Sequence, residues 1–98
     1  MLVRIVKMSF DNKLTDKFLH VFSSHKESIR NFPGCRFLEL YQDKENSAIF
    51  FTYSYWENET DLENYRRSEL FKNVWSKTKI MFNDKPQAWS VDKVVSLP

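Results

Sequence analysis

Imidazole groups are the first candidates for acid–base chemistry in this sequence, because histidine titrates close to neutral pH. The chain contains two, and only His25 falls on the apolar stripe of a predicted helix, between Phe22 and Ile29. A histidine on such a stripe usually packs in the core, which is the simpler interpretation. Because His25 is also the only imidazole placed to reach a pocket, we name it as a candidate catalytic residue.

Arg4 is a charged residue in a mostly apolar context. It lies in a predicted strand, on the face that it shares with Leu2, Val6 and Met8. The simpler explanation is an arginine whose alkyl part packs while its charge reaches solvent or an interface. The alternative is contact with an anion or a carbonyl group inside a pocket, which makes Arg4 a candidate substrate-binding residue.

Aromatic side chains are the third chemical feature, and they make up 16% of the chain. Tyr65 could orient a phenolic substrate and is our second candidate catalytic residue, while Trp56 and Trp75 could stack on a planar compound. A simple packing role in the core, as residues of an amphipathic helix, explains Tyr65 and Trp75 equally well. So much aromatic surface on a small domain predicts a sizeable pocket, an oligomer interface, or both.

The spacing of apolar residues predicts the elements that must position these side chains. Alternation predicts four strands, and 3.6-residue spacing predicts two helices, the second broken near Ser68. The strands cover 2–10, 35–42, 47–56 and 89–97, and the helices cover 14–31 and 57–82. The third strand is apolar on both faces, which is typical of a central strand.

This β-α-β-β-α-β order predicts a single α+β domain over residues 1–98 with a ferredoxin-like fold. Its antiparallel sheet would carry both helices on one face. The other face must also be covered, and two such sheets packed face to face would form a homodimeric α/β barrel.

Short motifs in the middle of the chain point to a family. The third predicted strand ends in Tyr-Trp-Glu-Asn at 55–58, and the next helix carries Asp-Leu-x-x-Tyr at 61–65 and Ser-x-x-Phe at 68–71. Asn-Phe-Pro-Gly-Cys at 31–35 matches the family's junction between first helix and second strand. From residue 2 to about 97 the chain resembles the antibiotic biosynthesis monooxygenase family of small dimeric α/β-barrel proteins.

The resemblance implies a pocket between the sheet and the helices of each protomer. By strand and helix parity, Trp56, Tyr65, Phe71 and Trp75 would line it, with His25 or Arg4 as further possibilities. We therefore take Arg4, Trp56, Phe71 and Trp75 as substrate-binding candidates.

Haem degradation is one activity known in the family. The members that degrade haem hold its iron with a histidine four residues beyond the phenylalanine of Ser-x-x-Phe. The corresponding residue here is Trp75, which offers no lone pair to iron. We therefore expect neither haem degradation nor any cofactor or metal.

Cofactor-independent oxidation of a small aromatic, quinol or polyketide-like compound is the other activity that the resemblance implies. Such chemistry needs a base or hydrogen-bond acceptor to form a substrate anion, which then gives an electron to oxygen in a dry pocket. Many members have histidines at the positions of Tyr65 and Leu70, and this chain lacks both. A monooxygenase is the leading hypothesis, and a non-catalytic small-molecule-binding or stress-response dimer is the alternative.

Composition excludes several other classes. The net charge of +2 comes from 15 basic and 13 acidic residues spread along the chain, so no basic surface for nucleic acid is expected. The single cysteine, Cys35, excludes an intramolecular disulfide or a cysteine-based zinc site. The N-terminus lacks the features of a signal peptide, and no apolar run is long enough to cross a bilayer, so we expect a cytoplasmic protein without membrane contacts.

Overall fold

Four antiparallel strands form one sheet in the computed structural model, which describes residues 1–98. The elements are β1 (Leu2–Ser9), α1 (Thr15–Arg30), β2 (Cys35–Gln42), β3 (Ile49–Trp56), α2 (Glu59–Arg66), α3 (Glu69–Lys79) and β4 (Gln87–Asp92). A 3-10 turn at Asn12–Leu14 precedes α1. The strand order β2-β3-β1-β4 places β3 and β1 at the centre, which confirms the ferredoxin-like α+β fold and the central position of β3.

The strand register assigns every sheet residue to one of two faces, because residues directly opposite in antiparallel strands share a face. Arg4 lies opposite Ser54 of β3 and Ser90 of β4. The neighbouring Val3 lies opposite Tyr55, on the other face. The side chains that meet the helices lie on the Arg4 face, so all three helices cover the same side of the sheet, as predicted.

Two clusters of buried side chains fill the space between the sheet and the helices. The larger contains Met8, Phe10, Phe18, Phe50 and Met81, and the smaller contains Leu2, Cys35, Trp56 and Leu62. In the larger cluster, Phe18 of α1 stacks on Phe10 with ring centroids 4.2 Å apart. These contacts attach α1 to the sheet and leave the space beneath α2 and α3 less densely filled.

The face of the sheet without helices is largely apolar, and we call it the open face. It carries aromatic or aliphatic side chains from all four strands: Val3, Ile5, Phe37, Tyr41, Phe51, Tyr53, Tyr55, Trp89 and Val91. Phe37 stacks on Tyr55 at 4.3 Å, and Tyr41 meets Tyr53 edge-on at 5.1 Å. Tyr41 and Trp89 remain 46% and 44% exposed.

The last strand is shorter than predicted. It ends at Asp92 instead of Leu97, because its partner β1 begins at Leu2, the residue opposite Asp92. Beyond that point no neighbouring strand of this chain offers backbone hydrogen bonds, and Val94 and Leu97 are 94% and 89% exposed. None of the helices is long and apolar enough to span a membrane.

Candidate ligand-binding cavity

A cavity of about 300 Å³ lies between the helix-covered face of the sheet and helices α1, α2 and α3. Of the six site residues predicted from the sequence, Arg4, Tyr65, Phe71 and Trp75 line it, whereas Trp56 and His25 do not. Most of the remaining wall is apolar, with Val6, Met8, Phe22 and Val74 among its members. The volume is at the lower end of the range for small-molecule sites, ~300–1,000 Å³.

Ser68 positions the aromatic residues that line one side of the cavity. It ends α2 and caps α3: its hydroxyl donates to the Tyr65 carbonyl (2.6 Å) and accepts from the Phe71 backbone N–H (3.1 Å). The break between the helices therefore places Tyr65 and Phe71 in contact, with ring centroids 5.2 Å apart. Phe71 is in turn nearly parallel to Trp75, at 5.7 Å and 12°. The result is a rigid aromatic wall that suits a flat ligand.

Tyr65 lines this cavity, and its hydroxyl group can donate a hydrogen bond. Burial raises the pKa of Tyr65 well above its usual value, and the negative charge that Cys35 would carry when ionised adds a smaller effect. The Tyr65 hydroxyl forms no hydrogen bond with another residue. Every fully buried polar side-chain atom of the protein does form one, so the Tyr65 oxygen is not fully buried. At neutral pH Tyr65 is thus a neutral phenol that can donate a hydrogen bond but cannot act as a base.

Trp56 lies behind Tyr65. Its ring is 1% exposed and stacks on Tyr65 with centroids 5.0 Å apart. Its indole N–H donates to the Ser54 hydroxyl at 2.9 Å. A ligand in the cavity would reach Trp56 only if Tyr65 moved, so Trp56 supports the wall in this conformation.

His25 is half-buried on α1 and points beside the cavity. Phe22 and Ile29 of the same helix do line it. At ~100° per residue, His25 lies only about 20° around the helix from Phe18 and about 40° from Ile29, which both line the cavity, so its angular position does not by itself explain why it is absent from the wall. A catalytic role for His25 remains a prediction from the sequence.

Arg4 occupies the floor of the cavity. Its position opposite Ser54 and Ser90 puts it on the helix-covered face, so it does not belong to the open face. Its Nη1 donates to the Ser90 hydroxyl at 3.0 Å. Burial lowers the pKa of Arg4, Arg66 lowers it further, and Glu63 partly opposes both effects. Since a guanidinium does not lose its proton in proteins, the site holds a partly desolvated cation.

Sequence reasoning missed five polar residues of the cavity: Thr52, Ser54, Arg66, Thr78 and Gln87. Ser54 had a signal, because it is a polar residue on the inward face of β3, between Phe50 and Trp56. Arg66 had none, since a charged residue on a helix is normally solvated. Its side chain is 48% exposed and forms part of the rim.

The wall contains no aspartate, glutamate, histidine, lysine or cysteine. Elsewhere in the chain, no three such metal-ligating side chains come together in a cluster. The cavity can therefore hold a small planar molecule, shield it from water and donate hydrogen bonds to it. No side chain on its wall can accept a proton near neutral pH.

Comparisons with known proteins identify a matching family. The profile of a family described as "antibiotic biosynthesis monooxygenase" matches residues 1–75. No curated protein matches the chain.

Solved structures share the fold at low sequence identity. A crystal structure of an antibiotic biosynthesis monooxygenase superposes with a TM-score of 0.91 at 19% identity, covering 97% of this chain and 100% of the other. A conserved protein from Methanosarcina mazei Go1 gives 0.88 at 22% identity, covering 95% and 93%. Rv0793 from Mycobacterium tuberculosis gives 0.89 at 11% identity, covering 99% and 98%. The profile match covers most of the chain, and the protein belongs to the antibiotic biosynthesis monooxygenase family.

Proposed function

We propose that this protein is a cofactor-independent monooxygenase that acts on a small hydroxylated aromatic or quinol-like compound in the cavity. The observation that carries the proposal is the pairing of a flat aromatic wall, Phe71 and Trp75, with the donor groups of Tyr65 and Arg4. The wall holds a ring, and the donors hold an ionised oxygen on that ring.

Substrate ionisation is the step that the cavity must promote. Because no base lines the wall, the positive charge of Arg4 takes over this task by lowering the pKa of a bound hydroxyl group. The proton leaves to solvent through the partly exposed rim. Tyr65, held neutral by its raised pKa, donates to the resulting oxygen anion.

The anion then gives one electron to molecular oxygen, and the two radicals combine to form a carbon–oxygen bond. Uptake of a proton gives a hydroperoxide on the ring, and loss of water from it leaves a carbonyl group. The balance is one O₂ consumed, one oxygen atom retained in a quinone and one released as water. The apolar wall limits escape of the radicals and access of water.

We also propose that two copies pack through the open face to form a homodimeric barrel in the cytoplasm. Aromatic side chains such as Tyr41 and Trp89 are too exposed for an isolated domain of this size. The free thiol of Cys35 is compatible with a reducing compartment.

The alternative function is binding without turnover. It is favoured by the absence of any proton acceptor on the cavity wall. Incubation of the purified protein with hydroxylated naphthalenes, followed by oxygen electrode and mass spectrometry, separates the two. Oxygen uptake with a product that gains one oxygen atom supports the monooxygenase; binding without uptake supports the alternative.

A further inference from the structure

The cavity lining contains two arginines, and the charge of Arg66 acts on Arg4, so the two lie near each other. Arg4 and Ser54 lie opposite each other on the sheet, and Tyr65 and Arg66 belong to α2. The cavity is mostly apolar and carries cationic hydrogen-bond donors on its wall but no carboxylate; Thr52, Thr78 and Gln87 are its other polar residues.

The nearby carboxylate of Glu63 does not neutralise this positive charge. Its Oε1 bonds Arg67 Nε at 3.2 Å, and its Oε2 is 3.7 Å from Arg66 Nη1, beyond a normal hydrogen bond. Glu63 is also 47% exposed, which weakens its attraction through solvent screening. One carboxylate thus faces the guanidinium groups of Arg4, Arg66 and Arg67.

Arg4 keeps most of its binding capacity free. A guanidinium has five N–H donors, and the hydrogen bond to Ser90 is the only one that Arg4 makes within the chain. The Ser54 hydroxyl accepts from Trp56, which leaves its own proton to donate. Two oxygens of a ligand could therefore be bound at once by Arg4, with Ser54 and Arg66 completing the site.

We propose that the cavity selects an aromatic monocarboxylate, whose carboxylate group lies between Arg4 and Arg66 and whose ring lies against Phe71 and Trp75. This narrows the substrate class and rests on the proposed function for its catalytic meaning. The carboxylate binds part of the Arg4 guanidinium, and the reacting hydroxyl lies between the remaining N–H groups of Arg4 and the hydroxyl of Tyr65. A permanent charge on the substrate also explains why two arginines border a cavity whose wall contains no carboxylate.

Isothermal titration calorimetry with 2-naphthoate and the isosteric neutral alcohol 2-naphthylmethanol tests the inference. The wild-type protein is expected to bind naphthoate about 10-fold more tightly or better, as one charge-assisted hydrogen bond allows. Arg4→Gln should abolish the preference, and Arg66→Gln should reduce it about 3-fold or more, because its rim position is better solvated. The matched control is Arg67→Gln, which removes an arginine beside Glu63 that does not line the cavity and should leave the preference unchanged.

The inference would be overturned if the alcohol bound as tightly as naphthoate or more tightly, or if neither compound bound. It would also be overturned if the preference for naphthoate survived both Arg4→Gln and Arg66→Gln. If Arg4→Gln fails to fold, Arg66→Gln alone decides, because its partly exposed side chain is not part of the core. Oxygen uptake distinguishes the two proposals. If the protein prefers the carboxylate but consumes no oxygen with any hydroxynaphthoate, the selectivity proposal stands and the monooxygenase proposal is excluded. If it consumes oxygen only with neutral substrates, the monooxygenase proposal stands and the selectivity proposal is excluded.

Discussion

Tyr65 rests on Trp56, with ring centroids 5.0 Å apart and ring planes at 27°. Trp56 is itself fixed by burial and by its hydrogen bond to Ser54. The hydroxyl at the end of Tyr65 is therefore carried by a stack that cannot easily shift. Such a support is what a binding group needs if it is to donate in one direction to one ligand atom.

Ser68→Ala should destabilise the protein by about 1 kcal/mol, because it removes the N-cap of α3. It should also loosen the contact between Tyr65 and Phe71 and weaken ligand binding. Urea unfolding and calorimetry measure the two effects. Ser76→Ala is the control, since that hydroxyl only donates to the Asn73 carbonyl on an exposed part of α3. Equal losses in both variants would show that Ser68 has no special role.

Gly34→Ala should lower the free energy of unfolding by about 2 kcal/mol or more. Gly34 has φ of 89°, a region that L-residues rarely adopt. An added Cβ would also overlap the side chain of Asp61 at the start of α2. Thermal unfolding measures the loss, with Lys44→Ala in the exposed β2–β3 connection as a control. A variant as stable as the wild type would contradict the close packing of Gly34 against Asp61.

Stability should fall at alkaline pH because of Tyr65 and Cys35. Burial raises the pKa of both groups from ordinary values of 10.0 and 9.0, so the unfolded chain loses these protons first. Their contribution is intact below about pH 9 and is lost progressively above it. Urea unfolding between pH 8 and 11 should show a smaller loss for Tyr65→Phe than for the wild type. Identical pH profiles would contradict the raised pKa that partial burial gives Tyr65.

Trp89→Glu should convert the proposed dimer into a monomer. Trp89 lies on the open face and is 44% exposed in the isolated chain, and a charge there would be desolvated on association. Analytical ultracentrifugation should show that the dimer associates at least about 10-fold more weakly. Ile80→Glu is the matched control, because Ile80 is 71% exposed beyond α3, away from the open face. A monomeric wild type, or a dimer unaffected by Trp89→Glu, would exclude this interface.

The fold could be predicted where the residues that start or stop an element agree with its apolar pattern. The second strand was predicted at its observed bounds because Pro33 and Gly34 stop the helix before it and a polar run, 43–46, follows it. The break at Ser68 was predictable from its capping position. The length of β4 was not, because a strand extends only as far as its neighbour, and the start of β1 is distant in sequence.

The site was harder to predict than the fold. Strand and helix parity placed Tyr65, Phe71 and Trp75 in the cavity and allowed Arg4, all of which line it. Parity also placed Trp56 there, but the ring of Tyr65 stacks on Trp56 and Trp56 does not line the cavity. Parity could not exclude His25, because this residue lies within about 40° around the helix of Phe18 and Ile29, which do line the cavity. It could not find Arg66 either, since the position of the rim depends on how α2 and α3 meet the sheet.

Oxygen uptake by the wild type and by Tyr65→Phe, with a hydroxylated naphthoate as substrate, tests the central claim most directly. The substitution keeps the ring and its stacking on Trp56 but removes the donor to the substrate anion. The initial rate should fall about 10- to 100-fold, as expected for loss of a hydrogen bond to a charged group, with ligand-free stability at pH 7 nearly unchanged. Tyr41→Phe, on the open face, should retain the wild-type rate. An unchanged rate in Tyr65→Phe, or no uptake by the wild type, would contradict a monooxygenase that uses this cavity.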